Sequence, residues 1–197
     1  MRPTRPPASC AGRLEALVRA TPWLMRALRA ARQLGLADWC IGAGAVRGLV
    51  WDALHGFASC PSSLSDIDLV YFDAEDLSPD REAALQRRLA SACPGLPWEV
   101  TNQAAVHLWF AGHFGYAVEP LPSLEAAVAT WPEYATAVGV ALNVDDSLRV
   151  IAPYGLDDLF GMVVRRNPAR ASADVYRQRV AQKRYRERWP QVTVVHE

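Results

Sequence analysis

The sequence predicts a mixed α/β fold, and three observations predict it. From Trp39 to Thr101, strand-like and helix-like stretches alternate in the order β-α-β-α-β. A glycine turn, Gly42-Ala43-Gly44, stands between the first of these strands and a helix with one apolar stripe. Acidic residues recur on two of the strands, where stability alone gives no reason to gather like charge.

Composition sets the outer bounds. The chain has 197 residues, of which 51% are hydrophobic and 21% charged, enough to build a core and too apolar for a disordered segment. Its 21 Lys and Arg balance 21 Asp and Glu, which excludes a generic polyanion binder and confines any nucleic-acid contact to a local patch. The longest apolar stretches, Cys40 to Val46 and Ala135 to Leu142, fall well short of the roughly 20 residues of a bilayer span, so no membrane partner is expected. The start, MRPTRPPASC, has arginines but no apolar block behind them, and it reads as a flexible tail over residues 1–12 of a cytoplasmic protein. Cys10, Cys40, Cys60 and Cys93 lie far apart with no CxxC pair, the pattern of reduced thiols rather than of disulfides or a structural zinc.

Each element follows from local pattern. Leu14, Leu17, Val18, Leu24, Met25 and Leu28 recur at helical spacing, and Thr21-Pro22 marks a cap and first turn, so two helices meet near Thr21. Trp39-Cys40-Ile41 reads as a short buried strand. Val46, Leu49, Val50, Ala53 and Leu54 form the stripe of the helix behind the glycines. A polar loop from His55 to Ser65 leads to the strand Asp66 to Phe72. Ser78 and Pro79 then open a helix with Asp80 and Glu82 in its first turn, ending near Cys93-Pro94-Gly95. Trp98-Glu99-Val100-Thr101 alternates apolar and polar, as a half-buried strand does. Further on, Val138 to Leu142 and Leu148 to Ile151 suggest a hairpin, followed by a helix from about Leu156 and a basic helix from about Ala173 to Trp189. Residues 13–197 are expected to form one domain, with a core over about 13–130 and a C-terminal extension over about 131–197.

The chemistry centres on the acids. Asp66 and Asp68, two apart on a strand, leave the same face while Ile67 and Leu69 point into the core. Side by side, such carboxylates repel, and they either share a proton or bind a cation. Glu99, from another strand, is the third candidate. Three acids on one sheet face suit two Mg²⁺ ions about 3.5–4 Å apart, a clamp for in-line phosphoryl displacement. Gly42 and Gly44 leave room for a phosphate chain at the start of the next helix, where Arg47 adds positive charge and Ser65 a hydroxyl. Asp73 is a rival third acid, placed by parity on the Ile67 side. Asn102-Gln103 either read a base or ribose or cap the next helix. The basic residues of the last helix read as a solvated face, with phosphate docking as the alternative.

The segments GAGAVRG, SDIDLVYFD and WEVTNQAAVH together resemble the polymerase-beta-like nucleotidyltransferase superfamily, most closely its bacterial branch of small proteins with unassigned substrate. The resemblance runs from about Leu14 to Trp189 and includes PYGLDDLF. It implies that superfamily's fold, with Gly42 and Gly44 over the triphosphate of an NTP, a metal-binding pair at Asp66 and Asp68, and Glu99 completing the site. The implied reaction moves a nucleoside monophosphate from an NTP to an unidentified hydroxyl acceptor and releases pyrophosphate. Two features depart from the family pattern: Ala45 stands where Ser is usual, and Gly44 precedes Asp66 by 22 positions (66 − 44), longer than usual. A catalytically degenerate nucleotide- or partner-binding module is the alternative that the altered glycine motif fits. Hydrolysis at the same metals, with water as acceptor, is the third reading.

Overall fold

A computed structural model describes residues 9–58 and 65–196 of the chain. Ser59, Cys60, Ser62, Ser63 and the first eight residues lie outside the described residues. Helix α1, Cys10–Arg19, takes in three residues expected in the tail, because the Ser9 hydroxyl accepts from the Gly12 amide at 3.2 Å and caps its first turn. Helix α2, Pro22–Arg32, follows at once. Thr21 does not cap it: its hydroxyl donates backwards to the Leu17 carbonyl at 2.8 Å. The apolar stripe reaches the core as expected, with Leu14, Val18, Leu24 and Leu28 wholly buried.

Next come strand β1, Trp39–Gly42, helix α3, Ala43–Leu54, strand β2, Ile67–Tyr71, helix α4, Pro79–Ala92, and strand β3, Trp98–Asn102. A 3₁₀ turn at Gln103–Ala105 feeds helix α5, Val106–Phe114, and helix α6, Leu124–Val128, follows. The hairpin is strand β4, Gly139–Leu142, and strand β5, Leu148–Ile151. After helix α7, Asp157–Phe160, come strand β6, Val163–Val164, helix α8, Ala173–Lys183, helix α9, Tyr185–Arg188, and strand β7, Thr193–Val194. The basic stretch is therefore two helices. Arg184 adopts a left-handed conformation (φ 48, ψ 45) that ends one and begins the other.

Five strands form one sheet in the order β3-β2-β1-β4-β5, with β2 and β3 parallel and the remaining pairs antiparallel. Two of the five strands thus come from beyond residue 131, so the C-terminal part completes the sheet as well as flanking it. Strand β3 sits on the sheet edge, where outward amides need partners. Helix α4 supplies them: Glu82 Oε1 accepts from the Asn102 amide at 2.6 Å, and Gln86 Oε1, one turn on, from the Val100 amide at 3.3 Å. The sequence pattern shows Glu82 only as a first-turn acid.

The C-terminal segments are anchored on α3 through polar contacts, most of them at buried side chains. Asp52 accepts from Arg188 Nη2 at 2.9 Å and from Trp189 Nε1 at 2.8 Å, Trp51 Nε1 donates to the Leu159 carbonyl at 2.8 Å, and His55 Nε2 accepts from the Gln191 amide at 3.1 Å.

Candidate active site

The parallel register of β2 and β3 sets Asp68 directly beside Glu99, with Val70 beside Thr101 on the same face. Ile67 and Leu69 point the other way and are fully buried. Asp66 lies on the Asp68 side at the entrance to β2, half-buried, and accepts from the Ser65 hydroxyl at 3.0 Å. Burial pushes the Asp68 carboxyl up to about 7, and the charges of Asp66 and Glu99 push it the same way. Arg179 and Lys183, both on α8, pull it down.

Among the described residues, no three His, Cys, Asp or Glu side chains close around a point that would hold a metal ion. Burial is the main cause of the raised Asp68 titration, and the neighbouring charges of Asp66 and Glu99 add to it. The donor chemistry nonetheless fits a hard divalent cation: all three groups present carboxylate oxygens, and their excess charge is what such an ion neutralises.

The glycines serve two purposes. A Cβ on Gly42 would meet the Trp131 ring at 2.6 Å and the Val138 carbonyl at 2.9 Å, so this glycine lets the chain pass beneath Trp131. Gly44 is the one next to the acids, since its Cβ would lie 3.8 Å from Asp66 Oδ1. Between them Ala43 holds a left-handed φ of 50, a conformation that costs a residue with a Cβ about 1–2 kcal/mol. Ala45 is fully buried and contributes packing.

Arg47 goes elsewhere. Instead of offering charge to phosphate one turn into α3, it is buried with its guanidinium 5.2, 5.0 and 5.2 Å from the rings of Trp51, Tyr185 and Trp189. Its Nε has no hydrogen-bond partner among the described residues, and burial lowers its affinity for its proton. The spacing placed Arg47 on the correct helix but could not show that residues more than 130 positions away would close a cage around it. Asp73 is also accounted for: it pairs with Arg81 at 2.9 Å, and its amide donates to Asn102 Oδ1. Asn102 is structural, since Oδ1 also accepts from the Ala104 amide and Nδ2 donates to the Asp73 and Asp76 carbonyls.

A cavity of about 330 Å³ opens above the acids. Asp68 and Glu99 line it together with Ala43, Thr101 and Gln103, and Trp109, Phe110, Phe114 and Tyr116 form an aromatic wall. Arg170 and Arg179 face it as well. Sequence reading missed that wall. In the run His107-Leu-Trp-Phe of α5, Leu108 and Trp109 remain 62% and 45% exposed, an unusual outlay of apolar surface. The sequence offers the basic last helix as a phosphate dock only as an alternative, and nothing in its pattern singles out Arg179 from its neighbours.

A family model described as a nucleotidyltransferase matches residues 29–194. The chain belongs to that family. No curated protein matches the sequence. Among solved structures, the nucleotidyltransferase is similar to a protein described as revealing a CCA-adding enzyme head domain, at 29% identity over 96% of this chain and 97% of that one, with a TM-score of 0.81. It also matches a tRNA-processing enzyme with CTP (18% identity, 86% of this chain and 43% of that one, TM-score 0.51) and an apo form of a tRNA-processing enzyme (16%, 95% and 45%, 0.52). These two show the fold alone, and this chain spans less than half of their length. The polymerase-beta-like fold and nucleotidyltransferase activity that the motifs implied are thus shown. No helix among the described residues is long and apolar enough to cross a membrane.

Proposed function

We propose that this nucleotidyltransferase moves a nucleoside monophosphate from an NTP to a hydroxyl-bearing acceptor and releases pyrophosphate, with Asp66, Asp68 and Glu99 as its catalytic residues. One observation carries the reading: Asp68 and Glu99 are register partners on parallel strands, facing a cavity, with Asp66 two residues before and beside the start of α3. The three carboxylates would hold two Mg²⁺ ions, which supply charge neutralisation at the phosphates and a lowered hydroxyl pKa. Asp66 and Asp68 would hold both ions, and Glu99, the exposed member, would ligate the acceptor-side ion and help activate the hydroxyl. Gly44 leaves space at the helix start for phosphate to lie next to Asp66, and Ser65, which bonds Asp66, can turn its hydroxyl to the same phosphates. The acceptor oxygen attacks the α-phosphorus, and the bond to the β-phosphate oxygen breaks as pyrophosphate departs.

Residues 13–197 act as one unit in this reading, because strands from both parts make the sheet that carries the acids. A cytoplasmic setting suits it, with free thiols at Cys10, Cys40 and Cys93. CTP is the first nucleotide to test, since a tRNA-processing enzyme of this fold was solved with it, and the CCA-adding likeness adds ATP. Pyrophosphate release from each NTP with Mg²⁺ and a cell-extract acceptor pool should depend on Asp68. Unchanged turnover in Asp68→Asn would refute the assignment. Binding of nucleotide without turnover would favour the degenerate module.

A further inference from the structure

Of the three acids, Asp68 and Glu99 line the cavity, followed along the same strands by Val70 and Thr101. Asp66 and Gly44, beside which the triphosphate is placed, lie outside its lining. The cavity therefore belongs to the Glu99 side of the site. There it meets the aromatic cluster of α5 and the turn after it. Phe110 packs against Phe114 and Tyr116 with ring centroids 4.5 and 5.3 Å away, and Trp109 lies alongside at 6.2 Å. Trp109, Phe114 and Tyr116 are all exposed, so three rings face open space where the core would have taken them. Arg170 completes the wall. Its guanidinium lies 5.3 Å over the Phe110 ring, its Nη2 donates to the Glu119 carbonyl at 2.9 Å, and the Tyr116 hydroxyl donates to the Arg170 carbonyl. No carboxylate among the described residues pairs with it. A guanidinium held by one donor and a ring keeps its other donors for an anion.

We infer that this cavity is the acceptor site, and that the acceptor is a small, flat aromatic compound with a hydroxyl at one end and an anionic group at the other. Its ring lies on the α5 wall, its anion meets Arg170, and its hydroxyl reaches Glu99 and Asp68. The inference rests on the nucleotidyl-transfer reading for the fate of the hydroxyl, and not for the presence of a site for an aromatic anion. In the transfer, the hydroxyl oxygen bonds to the α-phosphorus and its proton passes to Glu99. The bond to the β-phosphate oxygen breaks, and pyrophosphate leaves with that electron pair. Two observations favour a small acceptor over the end of a polynucleotide. The volume, about 330 Å³, is that of a small-molecule pocket. Helix α5, which carries most of the wall, has no lysine or arginine, whereas a groove for single strands pairs its stacking rings with a track of positive charge.

Calorimetric titration of the full chain with para-hydroxycinnamate, without nucleotide, tests the site by itself. Wild type should bind it more tightly than hydroxycyclohexanecarboxylate, which lacks the flat ring, and more tightly than para-hydroxycinnamamide, which lacks the charge. Trp109→Ala should weaken binding about fivefold or more, the size of one lost ring stack. Arg170→Gln should abolish the preference for the acid over its amide, a readout that a loosened wall would not produce. Leu108→Ala, exposed on the same helix and outside the cavity lining, should bind as wild type does. No binding by wild type, no preference for the flat ring, wild-type affinity in Trp109→Ala, an equal loss in Leu108→Ala, or a preference for the acid that survives Arg170→Gln would overturn the inference. So would displacement of the probe by magnesium ATP or CTP, which makes the wall a nucleobase site, or by a short single-stranded RNA, which makes the acceptor a polynucleotide. If the binding pattern holds while no NTP yields pyrophosphate, the aromatic site stands and the transfer reading falls. Pyrophosphate release from the extract pool without probe binding has the opposite meaning: the transfer reading stands and this acceptor falls.

Discussion

Two charged regions lie on either side of Arg179, and they treat charge in opposite ways. On the sheet, Asp66, Asp68 and Glu99 gather like charge on one face, and burial together with those neighbouring charges drives the Asp68 carboxyl up to about 7. Behind α8, Glu133, Arg47 and Asp52 are more deeply buried, yet each is enclosed by complementary groups: hydroxyls and Arg179 for Glu133, three aromatic rings for Arg47, Arg188 and Trp189 for Asp52. A protein that needs only stability partners its buried charge, as the second region does. Charge left unbalanced beside a cavity is the mark of a site that expects a ligand.

That contrast predicts opposite outcomes for removing charge on each side. The largest expected effect is on turnover: Asp68→Asn should lower pyrophosphate release by more than the roughly 100-fold seen when groups merely supporting a metal ligand are changed. The same variant should be as stable as wild type or more so at neutral pH without metal, as a denaturant melt would register. Behind α8 the sign reverses. Glu133→Ala strips Arg179 and Tyr185 of their shared acceptor and should cost about 3–5 kcal/mol, readable as a drop of about 10 °C in Tm. A stability gain there would erase the distinction.

A pH series sharpens it further. The Asp68 carboxyl releases its proton near 7 in the folded chain, against 3.8 when unperturbed, so between those values the folded state holds a proton that the unfolded state has lost. Stability of the metal-free protein should therefore fall as pH rises from about 4 to about 7, and Asp68→Asn should flatten that slope. Added Mg²⁺ should oppose that fall, most strongly as pH approaches 7 and the carboxyl ionises, if the acids bind it. Smaller effects are expected at the turn that joins the regions. Gly42→Ala drives a methyl into Trp131 and should cost about 1–3 kcal/mol. Ala43→Gly relieves a left-handed residue and should stabilise by less than about 1 kcal/mol, after the added freedom of the unfolded glycine is subtracted.

What the sequence determined by itself was local. Period-two alternation sent Asp66 and Asp68 to one face and Ile67 and Leu69 to the other, a glycine turn joined β1 to α3, and the order of elements fixed the fold class, because each depends on neighbours a few positions away. Only the tertiary structure decided that β2 and β3 pair in parallel with Asp68 against Glu99, that Arg47 is caged by residues from the far end of the chain, and that Arg179 rather than Arg47 faces the acids. Register and enclosure are set by contacts between segments far apart in the chain. The one-dimensional pattern of a single segment holds no record of which distant side chain will close over it.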